Sequence, residues 1–194
     1  AALFRLATRI AVSFEETKER MSGPDREKAV FTGNPIRAEM AELARADAIG
    51  RLGLGEGRFT VLVIGGSQGA HRLNESFLKS LEGLDDSVKR SIQVLHITGP
   101  ADYERASQAY RDMGIENRVW SFVDRIEEAY SASDLVVTRS GASAIFELAL
   151  FGKPMMLVPY PFAMSHQAEN ASAFSRKGAA VEMDEETLTP ESFR

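Results

Sequence analysis

The stretch VLVIGGSQGAHRLN, residues 61–74, joins an apolar run to a polar segment of helical spacing through a turn with three glycines. Glycines allow backbone conformations and close approaches that a Cβ atom would block. The exposed N–H groups of such a turn and the positive end of the following helix bind anions such as phosphate. A turn of this kind can also simply join a strand tightly to a helix, so the glycines alone leave both interpretations open.

The spacing of these glycines excludes two common nucleotide-binding motifs. The dinucleotide fingerprint needs G-x-G-x-x-G and an acidic residue after the second strand. Here the glycines read GGxxG, and the second predicted strand runs into HITG, residues 96–99, without an acid. The P-loop needs a lysine that GGSQGAHR lacks. NAD and ATP are therefore not the predicted ligands.

Outward from this turn, apolar runs of strand length alternate with segments of helical periodicity. Several of the runs are continuous rather than alternating, which suits strands covered on both faces of a parallel sheet. The alternation predicts an α/β fold with a Rossmann-like, doubly wound parallel sheet. The predicted strands are 59–64, 92–97, 118–122, 134–138, 154–158 and 179–183, and the predicted helices are 36–51, 69–83, 101–113, 125–132, 142–151 and 165–177.

The two ends of the 194-residue chain do not continue this alternation. Residues 1–32 are expected to be the tail of a truncated preceding domain. The segment GNPIR, residues 33–37, marks a boundary because Pro35 holds the residue before it in an extended conformation. Residues 33–194 would form the second domain. Pro190 suits the first turn of a helix that the end of the sequence would cut short, which predicts a fragment of a larger two-domain protein.

Composition narrows the functional classes. With 44% apolar and 26% charged residues, the chain is typical of a globular domain, and no apolar run is long enough to span a bilayer. The absence of cysteine excludes disulfides, thiolate metal sites and a cysteine nucleophile. The three histidines lack metal-ligand spacing. A net charge of −5 argues against a nucleic-acid partner.

A second glycine turn follows the predicted strand that ends at Thr138. Ser140, Gly141 and Ala142 make a tight entry to a helix, and Glu147 falls on the second turn of that helix. A carboxylate there can accept hydrogen bonds from a vicinal diol such as ribose. It can equally be a solvated residue that complements the helix dipole, and the pattern alone leaves both roles open.

A third loop, VPYPF at 158–162, leads to a helix for which Ser165 is the predicted N-cap. Gln167 offers donors and an acceptor near that helix start, as a sugar with several hydroxyls requires, although a solvated helix residue is the alternative. Arg139 could pair with a carboxylate or with a ligand. Because parallel strands end at one edge of the sheet, the three loops together predict a nucleotide with an attached polar group.

Several segments, in this order and at these spacings, resemble the C-terminal half of the MurG family of bacterial glycosyltransferases. The resemblance implies a GT-B architecture, in which two Rossmann-like domains face a cleft. It also implies transfer of N-acetylglucosamine from UDP-N-acetylglucosamine to lipid I with inversion, which forms lipid II for peptidoglycan and serves cell shape and division. The segments are GNPIR, GGSQGAHRLN, HITG, the run from Phe122 to Pro161, and HQAENA.

The resemblance carries over a donor site residue by residue. Arg37 would lie near the nucleotide at the junction of the two domains. Gly65, Gly66 and Ser67 would hold the diphosphate. Val123 would contact the uracil, largely through backbone groups.

The resemblance also implies a row of residues that lines the diphosphate and the ribose, called the wall below. In it, the Glu147 carboxylate would hydrogen-bond to the ribose hydroxyls. Gln167 would contact the hydroxyls of N-acetylglucosamine. The wall comprises Ala142, Ser143, Ala144, Ile145, Phe146 and Glu147.

The family's acceptor loops and its catalytic base belong to the N-terminal half, of which only residues 1–32 are expected here. No catalytic residue is therefore predicted in this chain. Contacts with lipid I and with the membrane surface would come through the missing domain, at the cytoplasmic face of the bacterial inner membrane. No metal or other cofactor is expected, in keeping with a sequence that has no Asp-x-Asp motif.

Two other functions stay open at this point. The segment DLVVTRSGA with its later glutamate indicates only the wider GT-B class, which includes UDP-sugar enzymes that act on glycolipids or antibiotics. A nucleotide-binding or regulatory module without catalysis is the third hypothesis. The stretches GGSQGAHRLN and HQAEN favour the first function.

Overall fold

The computed structural model describes residues 3–38, 40, 43–65, 70–162 and 166–193. The chain separates into two compact units, with the division between Arg37 and Ala38. Each unit has its own sheet. Among the described residues, no helix combines the length and the hydrophobicity needed to cross a bilayer.

The first unit is built on two short parallel strands. Ile10, Val12 and Ala29 form its small apolar core, and Ile10 lies opposite Ala29 in the ladder. A 3-10 turn and two helices complete the unit. Its elements are the 3-10 turn Leu3–Arg5, β1 (Ile10–Val12), α1 (Glu15–Arg20), α2 (Gly23–Lys28) and β2 (Ala29–Phe31).

The second unit is a six-stranded sheet in which all neighbouring strands are parallel. Helices connect successive strands. The strands are β3 (Phe59–Ile64), β4 (Ile92–Ile97), β5 (Glu116–Trp120), β6 (Leu135–Thr138), β7 (Met155–Leu157) and β8 (Ala180–Glu182). The helices are α3 (Arg45–Leu52), α4 (His71–Glu82), α5 (Asp86–Ser91), α6 (Tyr103–Met113), α7 (Ile126–Ala132), α8 (Ala142–Leu150) and α9 (His166–Ser175), followed by a 3-10 turn at Pro190–Phe193.

The spatial order of the strands is β5-β4-β3-β6-β7-β8. From β3 the chain builds outward to β5, then crosses to the other side of β3 and builds outward to β8. The reversal between β3 and β6 is the switch point at which doubly wound sheets bind ligands. The predicted α/β, doubly wound parallel sheet is confirmed.

The central strands are buried on both faces. Leu62 and Val63 are neighbours on β3 and both are fully buried, as are Val94 and Leu95 on β4. Successive side chains of a strand point to opposite faces, so each pair requires cover on both sides of the sheet. This explains why the corresponding sequence runs are continuously apolar.

Two helical predictions differ from the structure. The helix predicted from residue 36 begins only at Arg45, and no described residue between 36 and 44 is helical. The N–H of Leu43 instead donates to the hydroxyl of Ser131 at 3.0 Å, and Ala44 has ψ of 137°, outside the helical range. Helix α5 was not predicted because its six residues are too few for a periodic apolar pattern.

Asp134 holds together the amino-terminal ends of β3 and β6. Its carboxylate accepts a hydrogen bond of 2.7 Å from the N–H of Thr60 at the start of β3. Arg45 of α3 donates to the same carboxylate through Nε at 3.1 Å and through a terminal nitrogen at 2.8 Å. One side chain therefore joins β3, β6 and α3.

The substitution Asp134→Ala is expected to lower the free energy of unfolding by about 2 kcal/mol, because it removes charge-assisted hydrogen bonds and leaves the buried N–H of Thr60 without its acceptor. Urea unfolding measures the change. The control Asp112→Ala, on the exposed face of α6, should stay within about 0.5 kcal/mol of the parent. A loss at residue 134 no larger than in the control would contradict this role.

Candidate functional site

A cleft of about 740 Å³ lies at the carboxyl ends of β3 and β6, where the strand order reverses. Three of the residues predicted for the donor site line it, namely Gly65, Ala144 and Gln167. Gly66 and Ser67, which were predicted to hold the diphosphate, lie outside the described residues. The cleft is therefore at the edge where the sequence predicted a nucleotide site.

Helices α4 and α8 both begin at this cleft. Ala70 and His71 line it at the start of α4, and Gly141 and Ala144 line it at the start of α8. The N-cap residues, Ala70 and Gly141, make no side-chain cap hydrogen bond. The first N–H groups of a helix have no partner within the helix and carry its positive dipole end, so both helix starts present donors suited to an anion.

Arg139, which follows β6, connects to the segments that follow β7 and β8. It donates to the carbonyl oxygens of Val158 at 3.2 Å and Pro159 at 3.4 Å, and it forms an ion pair with Glu185. Its guanidinium lies 5.4 Å from the centre of the Tyr160 ring. Arg139 thus has a carboxylate partner, and its contacts hold these cleft walls together.

The start of α9 is tied to the loop after β6. Ser140 is fully buried and donates to the carbonyl oxygen of Gln167 at 2.7 Å, while the Asn170 amide donates to the carbonyl of Ser140 at 3.0 Å. The side-chain oxygen of Gln167 accepts the N–H of Tyr160 at 2.9 Å. The amide nitrogen of Gln167 has no hydrogen bond to a described residue, and its contact with a sugar stays a prediction. The predicted cap Ser165 lies outside the described residues.

Glu147 is half-buried and accepts a hydrogen bond of 3.0 Å from the hydroxyl of Tyr130 on α7. This contact orients the carboxylate on the second turn of α8, as the ribose role requires. That role itself stays a prediction.

The other wall residues differ in where their side chains lie. Ile145 is fully buried in the core, and Phe146 packs edge-on against Phe174 at 5.6 Å. Ser143 is exposed, and Ala142 is half-exposed. Only the backbone of Ile145 is therefore available to a ligand.

Two further predicted residues are Val123 and Arg37. Val123 is half-exposed in the loop between β5 and α7 and does not line the cleft. Arg37 is exposed at the end of the first unit. Their proposed contacts with the uracil and the nucleotide remain predictions.

A buried polar network beside the cleft was not predicted from the sequence. His96 of β4 contacts the hydroxyl of Tyr110 at 2.8 Å and the side-chain oxygen of Asn74 at 3.1 Å. Burial disfavours the charged imidazolium and lowers the pKa of His96 to about 3. Polar residues within apolar strand and helix patterns were the only sequence signal for this network.

His96 makes the fold sensitive to acid. Because its folded-state pKa is below the ordinary value of 6.5, the unfolded chain binds a proton that the folded chain does not as the pH falls from 6.5 toward about 3. Stability is lost across that window, by up to about 1.4 kcal/mol per pH unit. His96→Gln should flatten this slope in urea unfolding, whereas His166→Gln, at an exposed histidine, should not. Equal slopes in the two variants would contradict a neutral His96.

Known structures share this architecture. MurG of Acinetobacter baumannii has a TM-score of 0.74 and 28% identity, over 98% of this chain and 51% of that chain. The glycosyltransferase of kitacinnamycin shares the fold, with a TM-score of 0.65 and 20% identity over 97% and 45% of the two chains. The second unit thus has the fold of the C-terminal domain of GT-B glycosyltransferases. A model of the glycosyltransferase family 28 C-terminal domain matches residues 60–194, and the chain belongs to that family.

Curated relatives agree with this assignment. A protein of Thermodesulfovibrio yellowstonii is 39% identical over 178 residues, which is 91% of this chain and 48% of the relative. A protein of Halothermothrix orenii is 34% identical over 188 residues, or 93% and 50%. Both are named UDP-N-acetylglucosamine–N-acetylmuramyl-(pentapeptide) pyrophosphoryl-undecaprenol N-acetylglucosamine transferase. The chain spans about half the length of the curated relatives it matches.

Proposed function

We propose that this chain is the donor-binding domain of an inverting glycosyltransferase that transfers N-acetylglucosamine from UDP-N-acetylglucosamine to lipid I, forming lipid II. The observation that carries the proposal is the cleft between β3 and β6, where α4 and α8 both begin. Two helix starts suit the diphosphate of a nucleotide sugar. The names of relatives at 34% and 39% identity supply the particular donor and acceptor.

The proposed chemistry uses these donors in the transition state. The C4 hydroxyl of the acceptor attacks C1 of the sugar, and the bond from C1 to the diphosphate breaks with its electron pair on UDP. Negative charge then grows on the β-phosphate, where backbone N–H groups at the glycine turns stabilise it. The hydroxyl proton passes to a general base from the acceptor-binding half of the protein.

Side chains near the cleft are proposed to recognise the ribose and the sugar of the donor. The Glu147 carboxylate, oriented by Tyr130, accepts hydrogen bonds from the ribose hydroxyls. The Gln167 amide donates to sugar hydroxyls. Other proposed contacts are those of Arg37, Gly65, Gly66, Ser67, Val123 and the backbone from Ala142 to Phe146.

In this proposal the acceptor-binding half of the enzyme binds lipid I and contacts the membrane surface. In this proposal the whole enzyme is peripheral to the cytoplasmic face of the bacterial inner membrane. It serves peptidoglycan synthesis and through it cell shape and division.

The donor preference is testable by calorimetric titration of this chain. UDP-N-acetylglucosamine should bind about tenfold more tightly than UDP-glucose or TDP-glucose, because a site shaped for the N-acetyl group and uracil leaves polar groups unpaired with the others. The chain alone should transfer no sugar. Equal affinities for all three would favour a less specific nucleotide module, and turnover by the chain would contradict a base located outside it.

The ribose role of Glu147 predicts a selective loss. Glu147→Ala should weaken UDP binding about tenfold, because charge-assisted hydrogen bonds to the ribose hydroxyls disappear. Binding of 2′-deoxy-UDP should fall by less, since that ligand lacks one of the hydroxyls. Glu104→Ala, on the exposed first turn of α6, is the matched control and should bind both ligands as the parent does. Equal losses for both ligands would count against the role.

A further inference from the structure

The carboxylate of Asp102 has an unusual set of partners. Asp102 is the N-cap of α6, where an aspartate ordinarily accepts the N–H groups of its own helix. Here no side-chain cap bond forms. One oxygen instead lies 2.7 Å from Nδ1 of His71, and the other accepts the Asn74 amide at 2.8 Å. The buried carboxylate is thus directed at α4, which begins at the cleft.

The hydrogen bonds that link Tyr110, His96, Asn74 and Asp102 all donate toward Asp102. The amide nitrogen of Asn74 donates to Asp102 and also to the carbonyl of Thr98 at 2.9 Å, so its oxygen is the acceptor for Nε2–H of His96. His96 is neutral, and its Nδ1 therefore accepts the hydroxyl proton of Tyr110. The chain of donors from the core ends on the Asp102 carboxylate.

The acceptor character of the Asp102 carboxylate determines which nitrogen of His71 carries a proton. A carboxylate only accepts, so Nδ1 of His71 carries a proton and the ring is held in one orientation. The side chain is 64% exposed and lines the cleft. Its second nitrogen, Nε2, has no hydrogen-bond partner among the described residues.

We infer that His71 is a diphosphate-binding residue of the donor cleft and that Asp102 is its positioning residue. This inference rests on the function proposed above. In the imidazolium form, Nδ1–H donates to Asp102 and Nε2–H donates to a phosphate oxygen of the nucleotide sugar. Binding of the donor therefore takes up a proton at Nε2.

The charges around the cleft favour this role. Arg72 and Arg139 line the cleft together with Glu185 and Glu186, so two cations face two anions. Arg139 is already paired with Glu185. Protonation of His71 as the donor binds makes the described lining net positive toward the diphosphate.

The test is calorimetric titration with UDP-N-acetylglucosamine in buffers of different ionisation enthalpy. The diphosphate of this ligand is esterified at both ends and does not titrate near neutral pH, so any proton taken up enters the protein. The parent chain should take up protons on binding, and its affinity for the donor should be higher at lower pH. His71→Gln should bind about tenfold more weakly without proton uptake, since one charge-assisted hydrogen bond is lost.

Three comparisons separate this role from a structural one. Uridine, which has no phosphate, should bind the parent and His71→Gln equally. His166→Gln makes the same change at an exposed histidine that does not line the cleft, and it should keep the parent's affinity and proton uptake. Asp102→Asn should reduce proton uptake, and adding it to His71→Gln should change uptake no further. Thermal unfolding confirms that each variant is folded.

The outcomes are distinct. If the parent binds UDP-N-acetylglucosamine and His71→Gln matches it in affinity and proton uptake, the inference is overturned while the proposed function stands. Loss of transfer in the complete enzyme with unchanged donor binding would make His71 a base instead, and would also overturn it. If the parent does not bind the donor at all, the proposed function fails and the inference with it.

Discussion

The parallel pairing of β3 with β6 is the constraint on which the candidate site depends. Ile64 lies opposite Thr138, so both strands end at the same level and their loops leave the sheet side by side. Asp134 secures the opposite end of this pair by accepting the N–H of Thr60. Because a helix follows each strand, the register of the two strands brings the starts of two helices to one cleft. A shift in this register would move the helix starts apart.

Much of this arrangement could be predicted from local patterns. All six strands of the large sheet were placed within two residues, because continuous apolar runs identify strands buried on both faces. The glycine turn that includes Gly65 was recognisable from its residues alone. The start of α3 was placed wrongly; just before it, Leu43 donates to Ser131, which lies 88 residues further along the chain and is not visible in any local pattern. The pairing of His71 with Asp102 spans 31 residues and left no pattern to read.

The cleft walls are held by contacts within the protein as well as by the sheet. Arg139 has a nearly buried side chain, and its ion pair with Glu185 connects the loop after β6 to the segment after β8. Such a pair adds little net stability relative to apolar residues, but the loss of either partner leaves a buried charge without its counter-charge. The contacts of Ser140 and Asn170 likewise fix the start of α9. The loop after β6 is therefore joined both to the segment after β8 and to the start of α9.

The uncapped start of α8 has a consequence for inhibition. Main-chain donors are present whatever side chain a residue carries, and only proline removes one. A compound that accepted hydrogen bonds from the main-chain N–H groups after Gly141 would therefore bind a surface that ordinary point mutations leave intact. Resistance would have to arise from the side chains around that surface, such as Gln167 or His71, or from altered access to the cleft.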